Sequence, residues 1–252
     1  MRFLTAAALS LGLAAPASAL DLSAMSEAER TAFGAAVRGY LLENPEVLME
    51  AIGVLEQRQQ EAQAMGETEF LRANADTIFN NPADWAGGNP EGDLTLVEFV
   101  DYRCGYCRKA WTEVEELVRS DGNIRLVMKE FPILGEDSLA SSKFAIAARN
   151  LGGDEVYKKA HDALISLKGP ANEAALSGLA KEIGLAWDEV KPAMEAPETL
   201  AVIGANQQLA SSLQINGTPT FILRETMLRG YVPLDGMRQI VSQQREAAKA
   251  AD

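Results

Sequence analysis

Cysteine is almost missing from this sequence: Cys104 and Cys107 are the only 2 in 252 residues. A disulfide-stapled scaffold and a four-cysteine zinc site are excluded on that count. Histidine is scarcer still, with His161 alone, so a metal would need carboxylates or methionines for its other ligands, and no metal or cofactor is expected. Basic charge is also in short supply, since 23 Lys and Arg face 36 Asp and Glu, a formal net charge of −13. Nucleic acids are held mainly by cations that neutralise phosphates, so a nucleic-acid partner is excluded. Beyond the amino-terminal segment no apolar run approaches the roughly 20 residues that a membrane-spanning helix needs. What the chain does have is a 47% share of apolar residues, enough for a packed core and too many for a disordered chain.

The first residues read as an address rather than a fold. Met1-Arg2 precedes an apolar run from Phe3 to Ala15, then Pro16 and the small residues Ala17-Ser18-Ala19. This is the pattern of a cleaved secretory signal peptide over residues 1–19, so the mature protein is expected to be exported. Export bears on the cysteines, because an oxidising compartment permits disulfides that cytosolic thiol pools reduce.

Residues 20–80 read as a helical leader. Ser26 and Glu29 have capping-box spacing, and Phe33, Val37 and Tyr40-Leu41 share a face. Asn44-Pro45 stops and restarts the helix, after which Leu48, Ile52 and Leu55 continue at helical spacing. The stripe is too thin for a core of its own, so it either packs on the domain after it or pairs with copies of itself. Residues 81–92, with Pro82, Gly87-Gly88, Pro90 and Gly92, read as a turn-rich linker. Beyond it, strand Leu94–Val100, a helix from Cys107 to Val118 and strand Ile124–Phe131 form a βαβ unit with a parallel pair. Residues 138–213 supply helices and no strand. Thr220–Leu223 and Met227–Tyr231 then suit a hairpin, and Leu234–Ala251 a final helix. The fold class is α/β.

Cys104-Gly105-Tyr106-Cys107 lies between the first strand and the helix, and that location supplies a mechanism. The first N–H groups of a helix lack intrahelical partners and its dipole is positive there, so a thiolate at Cys104 is stabilised. Arg103, Arg108 and Lys109 are expected to add to the effect. Cys107, one turn on, is placed to resolve a mixed disulfide formed at Cys104. A purely structural bridge is the weaker reading, because so short a loop removes little unfolded-state entropy. Trp111 and Tyr106 suit an apolar rim, and Trp111 suits the core equally well. His161 is expected to be a partly exposed packing residue.

Three blocks, VEFVDYRCGYCRKA (Val97 to Ala110), KEFPILGEDS (Lys129 to Ser138) and INGTPTFIL (Ile215 to Leu223), together resemble the DsbA family of periplasmic thiol–disulfide oxidoreductases, most of all its Com1 and ScsC-like branch. The resemblance implies a thioredoxin-like fold with an inserted helical domain at about 138–213, preceded by the amino-terminal helical segment. It makes Cys104 the attacking cysteine, Cys107 the resolving one, the two together a redox-active disulfide pair, and Pro219 a cis-proline facing them. Thr218, Gly105 and Tyr106 become the expected substrate contacts. Glu98 matches the family's buried acid, whose raised pKa lets it take or return the resolving thiol's proton. Strand alternation leaves an outward-facing Glu98 open as well. The Gly-Tyr dipeptide replaces the Pro-His of the classical oxidant, so a redox potential does not transfer.

The reading is an exported protein-disulfide oxidoreductase or isomerase whose partners are unfolded or misoxidised exported proteins. The resemblance adds a membrane thiol-redox partner of the DsbB or DsbD type, and the leader suggests a homo-oligomer. The alternative is a chaperone or binding module with an idle cysteine pair.

Overall fold

A computed structural model describes residues 25–251; the expected signal peptide, residues 1–19, lies outside them. The chain forms two compact units, one ending at Glu61 and one running from Ala62 onward.

The first unit is helical. In α1 (Glu27–Glu43) the Ser26 side chain accepts from the Glu29 N–H, and the Glu29 carboxylate accepts from Ser26 in return. Asn44 ends the helix, its N–H bonded to the Tyr40 carbonyl. Pro45 lacks an N–H and crowds the preceding turn, so α2 (Glu46–Ala73) starts afresh directly after it. No residue of α1 is buried.

In the second unit α3 (Ala75–Phe79) precedes β1 (Trp85–Gly88), β2 (Leu94–Val100), α4 (Gly105–Asp121) and β3 (Ile124–Glu130). Five helices come next: α5 (Glu136–Gly152), α6 (Asp154–Ser166), α7 (Glu173–Glu182), α8 (Trp187–Met194) and α9 (Pro197–Ser212). The chain then closes with β4 (Thr220–Leu223), β5 (Thr226–Arg229) and α10 (Leu234–Ala251). The sheet runs β1-β3-β2-β4-β5, with β2 and β3 parallel and the other pairs antiparallel.

Both faces of the sheet are covered. Leu96, Val100, Leu126, Met128, Phe221 and Leu223 share one core with α4, α10 and the inserted helices. Val97, Phe99, Val127 and Ile222 share the other with Leu71, Ile78, Leu209 and Leu213. A strand buried on both faces carries no alternation signal, so alternation along β2 is no guide to whether Glu98 meets water.

Two expectations about the leader and linker need correcting. Residues 81–92 are not a bare linker, because β1 lies within them and pairs Trp85 with Met128 and Gly88 with Arg125. Its glycines make room instead of joints. A Cβ on Gly87 would fall 2.2 Å from the Trp85 ring, and Gly88, at φ +71°, would bring one to 2.5 Å from the Ile124 carbonyl. The leader also ends sooner than residue 80, since Leu71 and Ile78 are buried core residues. Arg125 donates to the Phe79 carbonyl at 2.6 Å, and the buried Lys129 pairs with Asp84 and donates to the Thr77 carbonyl.

Candidate active site

The turn after β2 is built around Asp101, which the sequence reading passed over. Its carboxylate accepts from the Arg103 N–H at 2.8 Å and the Ser138 hydroxyl at 2.8 Å, and from the Ile133 and Leu134 N–H groups at 2.8 and 3.0 Å. The signal was present: an Asp just past a strand bonds the backbone two residues on and starts a turn. The Asp101 carbonyl also accepts the Cys104 N–H at 3.1 Å. Cys104 is thereby placed as the N-cap of α4, with φ −73° and ψ 118°.

Both cysteines are free thiols here, the reduced form of the expected disulfide pair. Their environments drive their acidities apart. The Cys104 thiol pKa is lowered to about 5, chiefly by the hydrogen bond from the Cys107 thiol, with burial opposing and the Thr218 side chain and the N–H groups of Cys107 and Tyr106 helping. The Cys107 thiol is pushed far above its ordinary value by that same bond, by burial and by Glu98. The helix start therefore acts as expected, whereas the neighbouring cations are engaged by other partners. Arg103 donates to the Gly169 carbonyl, Arg108 to the Tyr102 carbonyl, and the Lys109 ammonium sits 4.1 Å over the Tyr231 ring.

Thr218-Pro219 is a cis peptide bond, and the Thr218 carbonyl accepts from the Cys104 thiol at 3.1 Å. Thr218 thus lies against the Cys104 sulfur, with Pro219 next to it in the chain. Glu98 is 1% exposed, which removes the outward-facing reading. Neither of its oxygens has a hydrogen-bond partner. Burial, then the charge of Cys104, raises its pKa to about 8. Gly105 opens α4, and Tyr106 is 64% exposed, its ring stacked 6.2 Å from Tyr231. Trp111 belongs to the core. His161 is fully buried and not partly exposed: the rings of Tyr102, Trp111 and Tyr157 surround it, and burial drops its pKa to about 3.

These features define a class, a thioredoxin-like fold with a helical insertion and a C-x-x-C dithiol at a helix start. The DSBA-like thioredoxin domain model matches residues 95–242, and the chain belongs to that family of thiol–disulfide oxidoreductases. Residues 29–62 match the N-terminal domain of the copper resistance protein ScsC. A thioredoxin-like oxidoreductase from Silicibacter pomeroyi DSS-3 is 43% identical, with a TM-score of 0.64 over 68% of this chain and 97% of that one. The thiol-disulfide exchange protein alpha-DsbA2 from Wolbachia pipientis is 26% identical, with a TM-score of 0.67 over 73% and 98%. A periplasmic thioredoxin-like protein from Salmonella enterica serovar Typhimurium shares the fold, at 24% identity and a TM-score of 0.59 over 67% and 94%. The chain spans about a quarter of the length of the curated relatives it matches. One of them, Na(+)/H(+) antiporter NhaA 1 of Salinispora arenicola, is 27% identical over 160 residues, 63% of this chain and 24% of that protein.

Proposed function

We propose that the protein exchanges disulfides with other proteins through Cys104 and Cys107. The observation that carries the reading is the split between the two sulfurs: an acidified Cys104 thiol at the N-cap of α4, against Thr218 of the cis-proline turn, and a wholly buried Cys107 thiol whose pKa is raised. In the reducing direction the Cys104 thiolate attacks one sulfur of a substrate disulfide and expels the other as a thiolate, forming a mixed disulfide. Cys107 then loses its proton and attacks the Cys104 sulfur. The internal disulfide forms, the second substrate thiolate leaves, and two electrons have passed to the substrate. Oxidation runs the same steps backwards, and isomerisation ends with the substrate's own thiol resolving the mixed disulfide. Glu98, buried and unpartnered on the β2 face that meets α4, is the acceptor for the Cys107 proton. The extended substrate segment lies along Thr218, with Gly105 and Tyr106 beside it.

We place this activity in the periplasm, on unfolded or misoxidised exported proteins, with a DsbB- or DsbD-type membrane protein resetting the pair. Among the described residues no helix is long and apolar enough to cross a membrane. The test is insulin reduction with a thiol donor. Wild type should precipitate the B chain and Cys104→Ala should not; equal rates would remove the reading.

A further inference from the structure

Beside the thiol pair lies a second buried polar cluster that disulfide exchange does not use. Glu130, the last residue of β3, accepts on Oε1 from the Tyr102 hydroxyl at 2.7 Å and the Tyr157 hydroxyl at 2.6 Å. The Tyr102 oxygen also meets His161 Nδ1 at 2.9 Å. A phenol has one proton to give. It goes to the carboxylate, so the neutral His161 ring carries its own proton on Nδ1 and donates it to Tyr102. His161 Nε2 is left buried without a partner. The other polar groups around Glu130 are Asp101, Ser142 and Asn206, the last donating to the Glu130 backbone carbonyl at 3.2 Å. Burial raises the carboxyl to about 7 against the Tyr157, Ser142 and Tyr102 hydroxyls, which favour its charged form.

The cluster joins the active-site loop to the inserted helices. Tyr102 stands two residues before Cys104, and its ring, wholly buried, is gripped by β3 and α6. Its backbone carbonyl accepts from Arg108 Nε in the first turn of α4 at 2.9 Å. Side chain and main chain of this loop residue are therefore both fixed, the one to β3 and α6 and the other to α4. We propose that Tyr102, held by Glu130 and His161, is a positioning residue for Cys104, keeping its sulfur in reach of the α4 N–H groups and the Cys107 thiol. A loosened loop weakens those hydrogen bonds, and the thiolate becomes less stable. The inference rests on the proposed exchange only in taking Cys104 as its reactive thiol, whose acidity is read without any substrate disulfide.

Two variants separate positioning from general damage. Tyr102→Phe and Tyr157→Phe each delete one hydroxyl from the same carboxylate oxygen, and only the first lies on the loop. The readout is the midpoint pH of Cys104 alkylation in the folded dithiol protein, with folding checked by circular dichroism. Tyr102→Phe should raise the midpoint by ~0.5 pH unit or more, about threefold less thiolate below it. Tyr157→Phe should keep the wild-type midpoint. An unchanged midpoint in folded Tyr102→Phe, or equal shifts in the two variants, would overturn the proposal. Should Tyr102→Phe not fold, Glu130→Gln reads the same quantity, and a wild-type midpoint there is equally fatal. A protein inactive on insulin whose low midpoint still depended on Tyr102 would sink the exchange reading and leave this one standing.

Discussion

At the scale of the residue, two sulfurs three positions apart differ in acidity chiefly because one donates a hydrogen bond to the other, which also stands at a helix start. Cys104 receives the hydrogen bonds, and Cys107 gives one away and sits beside Glu98 in the core. Iodoacetamide should therefore label Cys104 down to about pH 5, while Cys107 stays unlabelled at neutral pH; equal rates by peptide mass analysis would contradict the assignment. Glu98 makes a second prediction. Its folded pKa of about 8 lies above the ordinary 4.5, so between those values the folded state binds more protons than the unfolded one, and stability falls as pH rises. Glu98→Gln removes that slope. In urea unfolding of the dithiol form, the variant should gain on wild type by up to ~1.4 kcal/mol per pH unit across the window and no further above it. Parallel curves would show that Glu98 does not titrate there. Cys104, Cys107, Glu98 and Pro219 were legible because they sit in recognisable strings. Glu130 and the buried state of His161 were not, because their partners lie far along the chain: Tyr157 is 27 residues on from Glu130, and Tyr102 is 59 residues before His161.

At the scale of the element, the strands and helices from Leu94 onward follow the hydrophobic pattern closely; β2, β4 and α10 have the ends read from sequence. The misreading fell where glycine serves packing. Gly87 lies under the Trp85 indole, whose Nε1 donates to the Asp154 carbonyl and whose ring stacks 5.3 Å from Tyr157. Composition alone shows such a segment as a loop. The end of the leader was misplaced for a related reason: α2 is one unbroken helix, and nothing in its sequence marks where Leu71 begins to meet a sheet. Truncation tests that boundary. Removing residues 25–61 should leave the melting temperature of the second unit close to that of the full chain. Removing 25–80 should lower it sharply, because Leu71 and Ile78 leave their core at roughly 1.5–3 kcal/mol each and Lys129 loses the Thr77 carbonyl. Matching melting curves for the two truncations would show that the last turns of α2, with α3, are dispensable.

At the scale of the whole molecule, the second unit satisfies its own needs, with two cores and a sheet covered on both faces. The first unit does not. Phe33, Val37, Leu48, Ile52 and Leu55 are 40–55% exposed on helices that carry no core of their own. Apolar area left in water at this density favours a partner, and a second copy of the same helices is the partner of matching character, always present at the chain's own concentration. The expected state is a homo-oligomer joined through α1 and the first turns of α2. Leu48 and Ile52, one helical turn apart, test it. Leu48→Glu with Ile52→Glu places carboxylates on the stripe, and burying an unpaired charge costs far more than the apolar contact returns. Light scattering at tens of micromolar should find the wild type as an oligomer and the double variant as a monomer. Insulin reduction per chain should be unchanged, since both substitutions fall outside the unit that carries Cys104. Reshuffling of wrongly paired disulfides should fall, because holding a misfolded chain while its bridges exchange calls for more than one active site at a time. A monomeric wild type would remove the assembly, and a monomeric variant with undiminished reshuffling would cut the tie between assembly and isomerisation.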